Sequence, residues 1–375
     1  MENKGKIKML FPGGNTCLGF YSFYDNIIDE DAKRVFILKG GPGTGKSTLM
    51  QQVAEEMQKK GYDLEFHWCS SDPDSLDAVV IPELKVALID GTAPHMTDPR
   101  YPGAVEEIIN LGDCWDEKKL KAHRQEIILL VRKNQEFFAT AYSNLRMAKT
   151  ALDEEKALYD AKAVDEKAFI SKSGELLEDL FGTKPPWGSN KPRERHLFGW
   201  AITPAGIVDH LSTILGGTEK LFLIQGCPGS GTEKAIKLVA EIGYHCGFAC
   251  EVYHCAFDPE QIDLVVFPEM QAAVLKMFLQ LKFDPINLPG LKEIRVYDFA
   301  TCIAEEKLES QREQLEYMRK IFKDSLNRAI SSLKQAKEVH DQLESFYVQS
   351  VDYQKVEQKR KLILEKILSL TQTES

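Results

Sequence analysis

Val35-Phe36-Ile37-Leu38-Lys39-Gly40-Gly41-Pro42-Gly43-Thr44-Gly45-Lys46-Ser47-Thr48 runs from an apolar strand, through a glycine-rich turn, into a helix start. The last nine residues fit the pattern G-x-x-x-x-G-K-[ST], and the strand before them supplies the context the pattern needs. Glycines let successive backbone N–H groups converge on one anion, and the helix that begins near Lys46 adds its positive dipole end. The Lys46 ammonium can then reach the outer phosphates of a nucleotide, and the Ser47 hydroxyl can hold Mg²⁺. The cofactor-binding set expected here is Gly40, Gly41, Pro42, Gly43, Thr44, Gly45, Lys46, Ser47 and Thr48, for ATP with Mg²⁺.

The feature occurs twice, and the second copy is broken. Leu221-Phe222-Leu223-Ile224-Gln225 leads into Gly226-Cys227-Pro228-Gly229-Ser230-Gly231-Thr232-Glu233, 186 residues later, with Thr232 for the lysine and Glu233 for the serine. Without a gap, Cys69, Asp72-Pro73, Asp77, Val79-Val80 and Pro82-Glu83 recur as Cys255, Asp258-Pro259, Asp263, Val265-Val266 and Pro268-Glu269. Phe11, Thr16 and Gly19 recur as Phe198, Thr203 and Gly206, and Val164-Asp165 as Val351-Asp352. A repeat of this length is a duplicated domain. The expected organisation is a first domain over residues 1–183, a Pro-rich linker over 184–193 carrying Trp187, and a degenerate second domain over 194–375.

With 375 residues, a net charge of −10 and pI near 5.5, the chain reads as a large acidic protein without the basic surface that nucleic acid or an anionic membrane selects. No stretch reaches the roughly 18 apolar residues of a bilayer span, and Met1 to Lys8 leads into no signal-type apolar segment, so a cytoplasmic location is expected. Eight cysteines without a secretion signal read as reduced thiols. The cluster His245, Cys246, Cys250, His254 and Cys255 lacks a CxxC pair and reads as core thiols rather than a metal site.

Strand-like runs at Leu64–Cys69, Asp77–Val80, Val86–Asp90 and Val105–Leu111 alternate with helix or turn. This pattern implies an α/β fold: a mainly parallel sheet between helices, built twice. Charged, glycine-poor helix follows in each half. Leu308, Leu315, Phe322, Ala329, Ala336 and Leu343 fall seven apart, a heptad seam. A looser seam runs through Leu120, Ile127, Leu130, Phe137, Ala141, Ala148 and Leu152. Each long helix breaks near Asp165 or Asp352 before a shorter amphipathic one. The expectation is a helical hairpin arm per half, available for pairing in a homodimer or with a protein partner; the alternative is a helical layer on its own sheet.

A Mg²⁺-nucleotide site needs a carboxylate at the end of a neighbouring strand, and Val86-Ala87-Leu88-Ile89-Asp90 has that form. Asp90 is thus the expected metal carboxylate beside Ser47. Gly91 follows it where many ATPases carry a glutamate, so a base has to come from elsewhere or a second substrate replaces water. Asp72 and His95 are the candidates, together with Lys46 and Asp90 as catalytic residues, and Arg100 is a further candidate for neutralising phosphoryl charge. Asp72 also recurs in the broken half, where a turn explains it; Leu281 stands in His95's place. In the second half Lys276 replaces Asp90. A carboxylate about 4 Å from a phosphate oxygen costs about 4 kcal/mol at an effective dielectric of 20, so Glu233 makes that loop a poor phosphate site. Lys234, rotated about 200° along the helix, does not replace the lysine.

Taken together, the Phe11–Gly19 lead, the loop, His67-Trp68-Cys69-Ser70-Ser71-Asp72, Ile89-Asp90-Gly91-Thr92-Ala93-Pro94-His95 and the duplication resemble a family of tandem P-loop proteins. Its members occur in spore-forming and related Gram-positive bacteria and carry the general label ATPase or nucleotide kinase. The resemblance runs the full length and implies ATP binding at Gly40–Thr48. Neither an ABC-type Leu-Ser-Gly-Gly signature nor the Asp-Glu of AAA-type motors is present. Three functions satisfy these residues: an ATPase whose nucleotide state moves the arms, a nucleotide or small-molecule kinase, and a module that binds ATP without hydrolysing it.

Overall fold

A computed structural model describes residues 4–93, 96–160, 164–182, 192–277, 281, 283–304 and 308–371. The first half runs β1 (Ile7–Leu10), the hairpin β2 (Gly13–Thr16) and β3 (Gly19–Ser22), β4 (Arg34–Lys39), α1 (Lys46–Lys59), β5 (Leu64–Trp68), β6 (Leu76–Ile81), β7 (Val86–Asp90) and β8 (Glu106–Asn110). Then come α2 (Glu117–Ala122), the 37-residue α3 (Arg124–Asp160) and α4 (Glu166–Phe181). The second half repeats the order with β9 (Glu194–Phe198), β10 (Trp200–Thr203), β11 (Gly206–Asp209), a one-turn α5 (Leu211–Ile214), β12 (Lys220–Gln225), α6 (Thr232–His245), β13 (Cys250–His254), β14 (Ile262–Phe267), β15 (Ala272–Lys276) and β16 (Glu293–Asp298). It closes with α7 (Arg312–Val348) and α8 (Tyr353–Thr371).

Two six-stranded sheets result, ordered β1-β5-β6-β7-β4-β8 and β9-β13-β14-β15-β12-β16, strand for strand the same. They are mixed rather than mainly parallel, because β6 runs antiparallel to both β5 and β7, and β14 likewise to β13 and β15. The reason is local. Only Pro82–Lys85 separates β6 from β7, far too few residues for a parallel crossover. β4 lies between β7 and β8, parallel to both, and the register Leu38↔Asp90 sets Asp90 beside the start of the glycine loop.

Among the described residues, helices cover one face of the first sheet and not the other. Phe36, Leu38, Val79 and Leu88 pack on α1 through Leu49, Met50, Val53 and Met57, while Val35, Ile37, Ala87 and Ile89 on the other face are covered by the irregular Tyr24–Ala32 segment and Val105. The long helices also depart from the expected hairpins. Among the described residues α3 pairs with α7 rather than with α4, antiparallel, so that Asn134 of α3 donates to the Ala336 carbonyl and Glu155 accepts from Arg319. The heptad residues Leu315, Phe322, Ala329, Ala336 and Leu343 are buried in α7, and Phe322 and Ala329 share one core with Ala141, Leu145 and Ala148 of α3.

The shorter helices cross over. Val356, Ile363 and Ile367 of α8 pack into the α1 face of the first sheet, and Leu176, Leu180 and Phe181 of α4 pack into the matching face of the second, against Phe222, Ile236 and Val239. Each half lends its last helix to the other. Reciprocal ties hold the seam between the sheets: Phe11 and Phe198 exchange both backbone hydrogen bonds at 3.0 Å, the Arg195 guanidinium forks onto Glu65 at 2.8 and 2.6 Å, and Lys8 reaches Glu251 at 2.6 Å. Burial alone would raise the Glu65 carboxyl; Arg195 outweighs it and holds the group well below the ordinary carboxylate range. Residues 183–191, most of the expected linker with Trp187, lie outside the described residues.

Ile363 and Ile367 are fully buried on a sheet that their own half did not build. Ile363→Ala is expected to cost about 2–5 kcal/mol in denaturant unfolding. Native-state hydrogen exchange should quicken in β4 and α1 and stay unchanged in β12 and α6; quickening confined to the second sheet would contradict the exchange of helices. Residues 1–183 expressed alone carry α4 but lack α8, and are expected to be poorly soluble. A soluble, monomeric fragment with one cooperative transition would count against this.

Candidate functional site

The Gly40–Lys46 loop turns on left-handed glycines. Gly43 has φ +66° and Gly45, which caps α1, has φ +84°, values that side chains disfavour. Contact adds to conformation: a Cβ on Gly43 would lie 2.8 Å from Glu344 Cγ and 3.0 Å from the Glu344 carbonyl oxygen, both on α7. Thr44, buried, closes the turn by donating to the Gly41 carbonyl at 2.8 Å.

Three predicted side chains, Lys46, Ser47 and Asp90, meet at this loop. Lys46 Nζ donates to the carbonyls of Gly40 and Gly41 at 2.9 Å and stands 3.5 Å from Asp90 Oδ2. Asp90 Oδ1 accepts the Thr92 N–H at 2.9 Å and the Thr92 hydroxyl, which fixes its rotamer. Ser47 Oγ accepts the Leu76 N–H at 3.0 Å, so α1 and β6 together hold the hydroxyl in place. An ammonium, a hydroxyl and a carboxylate beside a turn of left-handed glycines are the groups that fit a polyphosphate with a hard divalent cation. Among the described residues no group of three or more His, Cys, Asp or Glu side chains is arranged to hold a metal by itself. Mg²⁺ needs no such group, since it takes one or two protein oxygens and fills the rest with phosphate and water.

The other predicted residues fall elsewhere. Asp72 is turned toward α7: it accepts from Ser75 Oγ at 2.8 Å and lies 3.4 Å from Lys337 Nζ. In the second half Asp258 meets Lys149 of α3 at 3.5 Å in the same way, so this pair docks the long helix wherever it occurs. Arg100, largely exposed, pairs with Asp25 at 2.6 Å. His95 lies outside the described residues. Gly91 has a steric reason, because a Cβ there would sit 2.5 Å from Ile37 Cγ2 and 3.2 Å from Lys39 Cε. No glutamate fits after Asp90. Lys39 instead ties the following segment down, donating to the carbonyls of Gly91 and Thr97 at 2.8 Å.

Sequence reading missed Asp77. A bulge between the pairs His67↔Ala78 and Trp68↔Leu76 leaves this residue out of the ladder, a common device near functional sites. Burial, with the charge of Asp90 adding to it, pushes the Asp77 carboxyl up to about 7 against hydrogen bonds from Tyr24 and Cys69. The signal was present in the recurrence of Asp77 as Asp263. There the neighbours differ: Asp263 accepts from Trp200 Nε1 at 2.9 Å and pairs with Lys276 Nζ at 2.9 Å, where the first half has Asp90.

Around the second loop the charges are inverted. Glu233 stands where Ser47 stands and meets Lys156 of α3 at 3.1 Å. Burial would raise its carboxyl, but Lys276 and Lys156 hold it below the ordinary range. On α7 the residue in Lys156's place is Glu344, against Gly43. Elbows dock symmetrically, Asp352 N–H to the Cys114 carbonyl at 2.7 Å and Asp165 N–H to the Cys302 carbonyl at 2.8 Å.

Residues 18–144, the span from the first hairpin to the middle of α3, match the family described as Nephrocystin 3, N-terminal. This span contains the intact loop and is under half of the chain. No curated protein matches, and neither does any solved structure.

The Asp77 carboxyl, at its ordinary 3.8 when unfolded and about 7 when folded, keeps its proton longer in the native chain. Its contribution to stability is therefore full below about pH 4 and is lost as the pH rises toward 7. Thermal melts should show Asp77→Asn gaining on the wild type across that window. A difference that does not change with pH would show that Asp77 is not the group holding the proton.

Proposed function

We propose that this chain binds one Mg²⁺-ATP, at Gly40–Thr48, and hydrolyses it, with the second half a non-catalytic copy of a P-loop domain. The observation that carries the reading is the meeting of Lys46, Ser47 and Asp90 on a loop whose glycines adopt the required left-handed turns. The resemblance to tandem P-loop proteins belongs to the same reading, as does the identical strand order of the two sheets. In this scheme Lys46 and the loop N–H groups neutralise phosphate charge, Ser47 and Asp90 hold the metal and its water shell, and bound Mg²⁺ offsets charge on the transferring phosphoryl group.

The second loop serves as a built-in contrast. Thr232 and Glu233 replace the lysine and serine, and the Glu233 carboxylate already engages Lys156. Its function is to brace α3. Asp77 is the carboxyl nearest in chemistry to the glutamate that Gly91 displaces: its pKa near 7 suits proton transfer at neutral pH, and Asp90's charge reaches it.

Calorimetry with full-length protein is expected to give one ATP site per chain, lost in the Lys46→Ala, Ser47→Ala double variant. Asp90→Asn should keep the fold and cut Mg²⁺-dependent phosphate release by orders of magnitude. Phosphate release without an acceptor supports hydrolysis. Transfer seen only when a nucleoside or nucleotide is added makes the chain a kinase, and tight binding with neither makes it a binding module. Two equivalent ATP sites would contradict the reading of the second half.

A further inference from the structure

Three aromatic rings from three separate elements converge on the intact loop. Trp115 follows the turn after β8, Tyr347 sits in the last turn of α7, and Tyr353 opens α8. A Cβ on Gly41 would lie 2.8 Å from Tyr347 Cε1 and 3.3 Å from Trp115 Cζ3, and one on Gly45 would lie 3.7 Å from Tyr353 Cε1. Tyr353 Oη donates to the Gly43 carbonyl at 3.1 Å. The Trp115 and Tyr347 rings stand 5.8 Å apart, tilted by 60°, and Tyr353 is 48% exposed.

Packing onto glycine is the simplest explanation of such rings, and the second half tests it. That loop has the same left-handed glycines, Gly229 and Gly231, and an elbow docked in the same manner. Packing alone would call for the same rings. The bridges Trp115↔Val351 and Val164↔Ile303 fix the correspondence: Ile303 stands in Trp115's place, and Glu166, next to Asp165, stands in Tyr353's place next to Asp352. Tyr159 is the counterpart of Tyr347, buried, with its hydroxyl accepting from Arg319 at 2.8 Å, and Phe169 of α4, in the place of Val356, packs its ring on Gly231. Rings therefore pack on the glycines of both loops, but at the places of Trp115 and the half-exposed Tyr353 the second half has no ring, and these two are lost together with the lysine and the serine.

We propose that Trp115, Tyr347 and Tyr353 form a subsite for the aromatic base of a nucleotide, which is thereby held between the first half's loop and the second half's arm. The inference rests on the proposed ATP reading and makes it more specific: the ligand is a nucleoside triphosphate, recognised by stacking, and not a bare polyphosphate. Stacking is tolerant of base identity, so purine and pyrimidine triphosphates should differ modestly.

Calorimetry and tryptophan fluorescence on the full chain test it, with Mg²⁺-ATP and Mg²⁺-tripolyphosphate as probes. Trp115→Leu and Tyr353→Leu are expected to weaken ATP about 5- to 100-fold and to leave tripolyphosphate unchanged. Trp115→Phe and Tyr353→Phe, which keep a ring, should bind ATP within about threefold of wild type and guard against misfolding. ATP should quench Trp115 emission, tripolyphosphate should not, and the quench should vanish in Trp115→Phe. If ATP binds and the leucine variants match the wild type, the base subsite is wrong while the ATP reading stands. If ATP and tripolyphosphate weaken in parallel, the rings serve the loop and not a base. If wild-type protein binds no ATP, both proposals fall.

Discussion

Burial of α8 on the first sheet is the contact on which the remaining architecture depends. Val356, Ile363 and Ile367 close the face that α1 leaves half covered, and fully burying side chains of this size stabilises by about 1.5–3 kcal/mol each. Since α4 does the same for the second sheet, neither half completes its core alone. The long helices follow from this. To deliver α8 and α4 to opposite sheets, α7 and α3 must run past each other, and at about 1.5 Å per residue each 37-residue helix spans about 55 Å. Their C-terminal ends then lie over the two glycine loops, Tyr347 at one and Tyr159 at the other.

Symmetry of backbone contrasts with asymmetry of charge. In the second half the loop, the sheet and the arm neutralise one another, Glu233 with Lys156 and Asp263 with Lys276. In the first half, Asp90 and Asp77 lie where the second half has Lys276 and Asp263, and Glu344 comes to the loop where the second half has Lys156. Burying like charges near one another is unfavourable, and Asp77 responds by keeping its proton. Among the described residues Lys46 is the cation that answers Asp90. One loop has become electrically self-sufficient, and the other is left with more carboxyl than ammonium groups about it.

The glycine loop, its broken copy, the strand sites and the α7 seam were legible in the sequence because each depends on local spacing. Sheet direction was misread as mainly parallel, because apolar runs do not reveal it, although the four residues Pro82–Lys85 between two strand-like runs exclude a parallel link. The exchange of α4 and α8 was not legible. Periodicity shows that Val356, Ile363 and Ile367 share a stripe, but two sheets of the same shape offer that stripe equivalent surfaces. For the site, Lys46, Ser47 and Asp90 came from motif and spacing. Asp77 was hidden because a bulge, and not alternation, turns it toward Asp90. Asp72 misled because a carboxylate after a strand serves a helix-docking lysine as readily as a phosphate.

The exchange of final helices also orders the events of synthesis. A chain emerging from its N-terminus makes α4 before any strand of the second sheet, so that sheet meets its cover as soon as it forms. The first sheet has the opposite experience. β4 is made near residue 35 and α1 soon after, yet the helix that completes the cover of their shared core begins only at Tyr353. Domains ordinarily fold as units, the N-terminal one first; here the N-terminal sheet has α1 on Phe36, Leu38 and Val79 but waits for Val356, Ile363 and Ile367 until α8 is made, a period of partial exposure that invites chaperone capture. The intact loop is the first of the two to be made and the last to be enclosed.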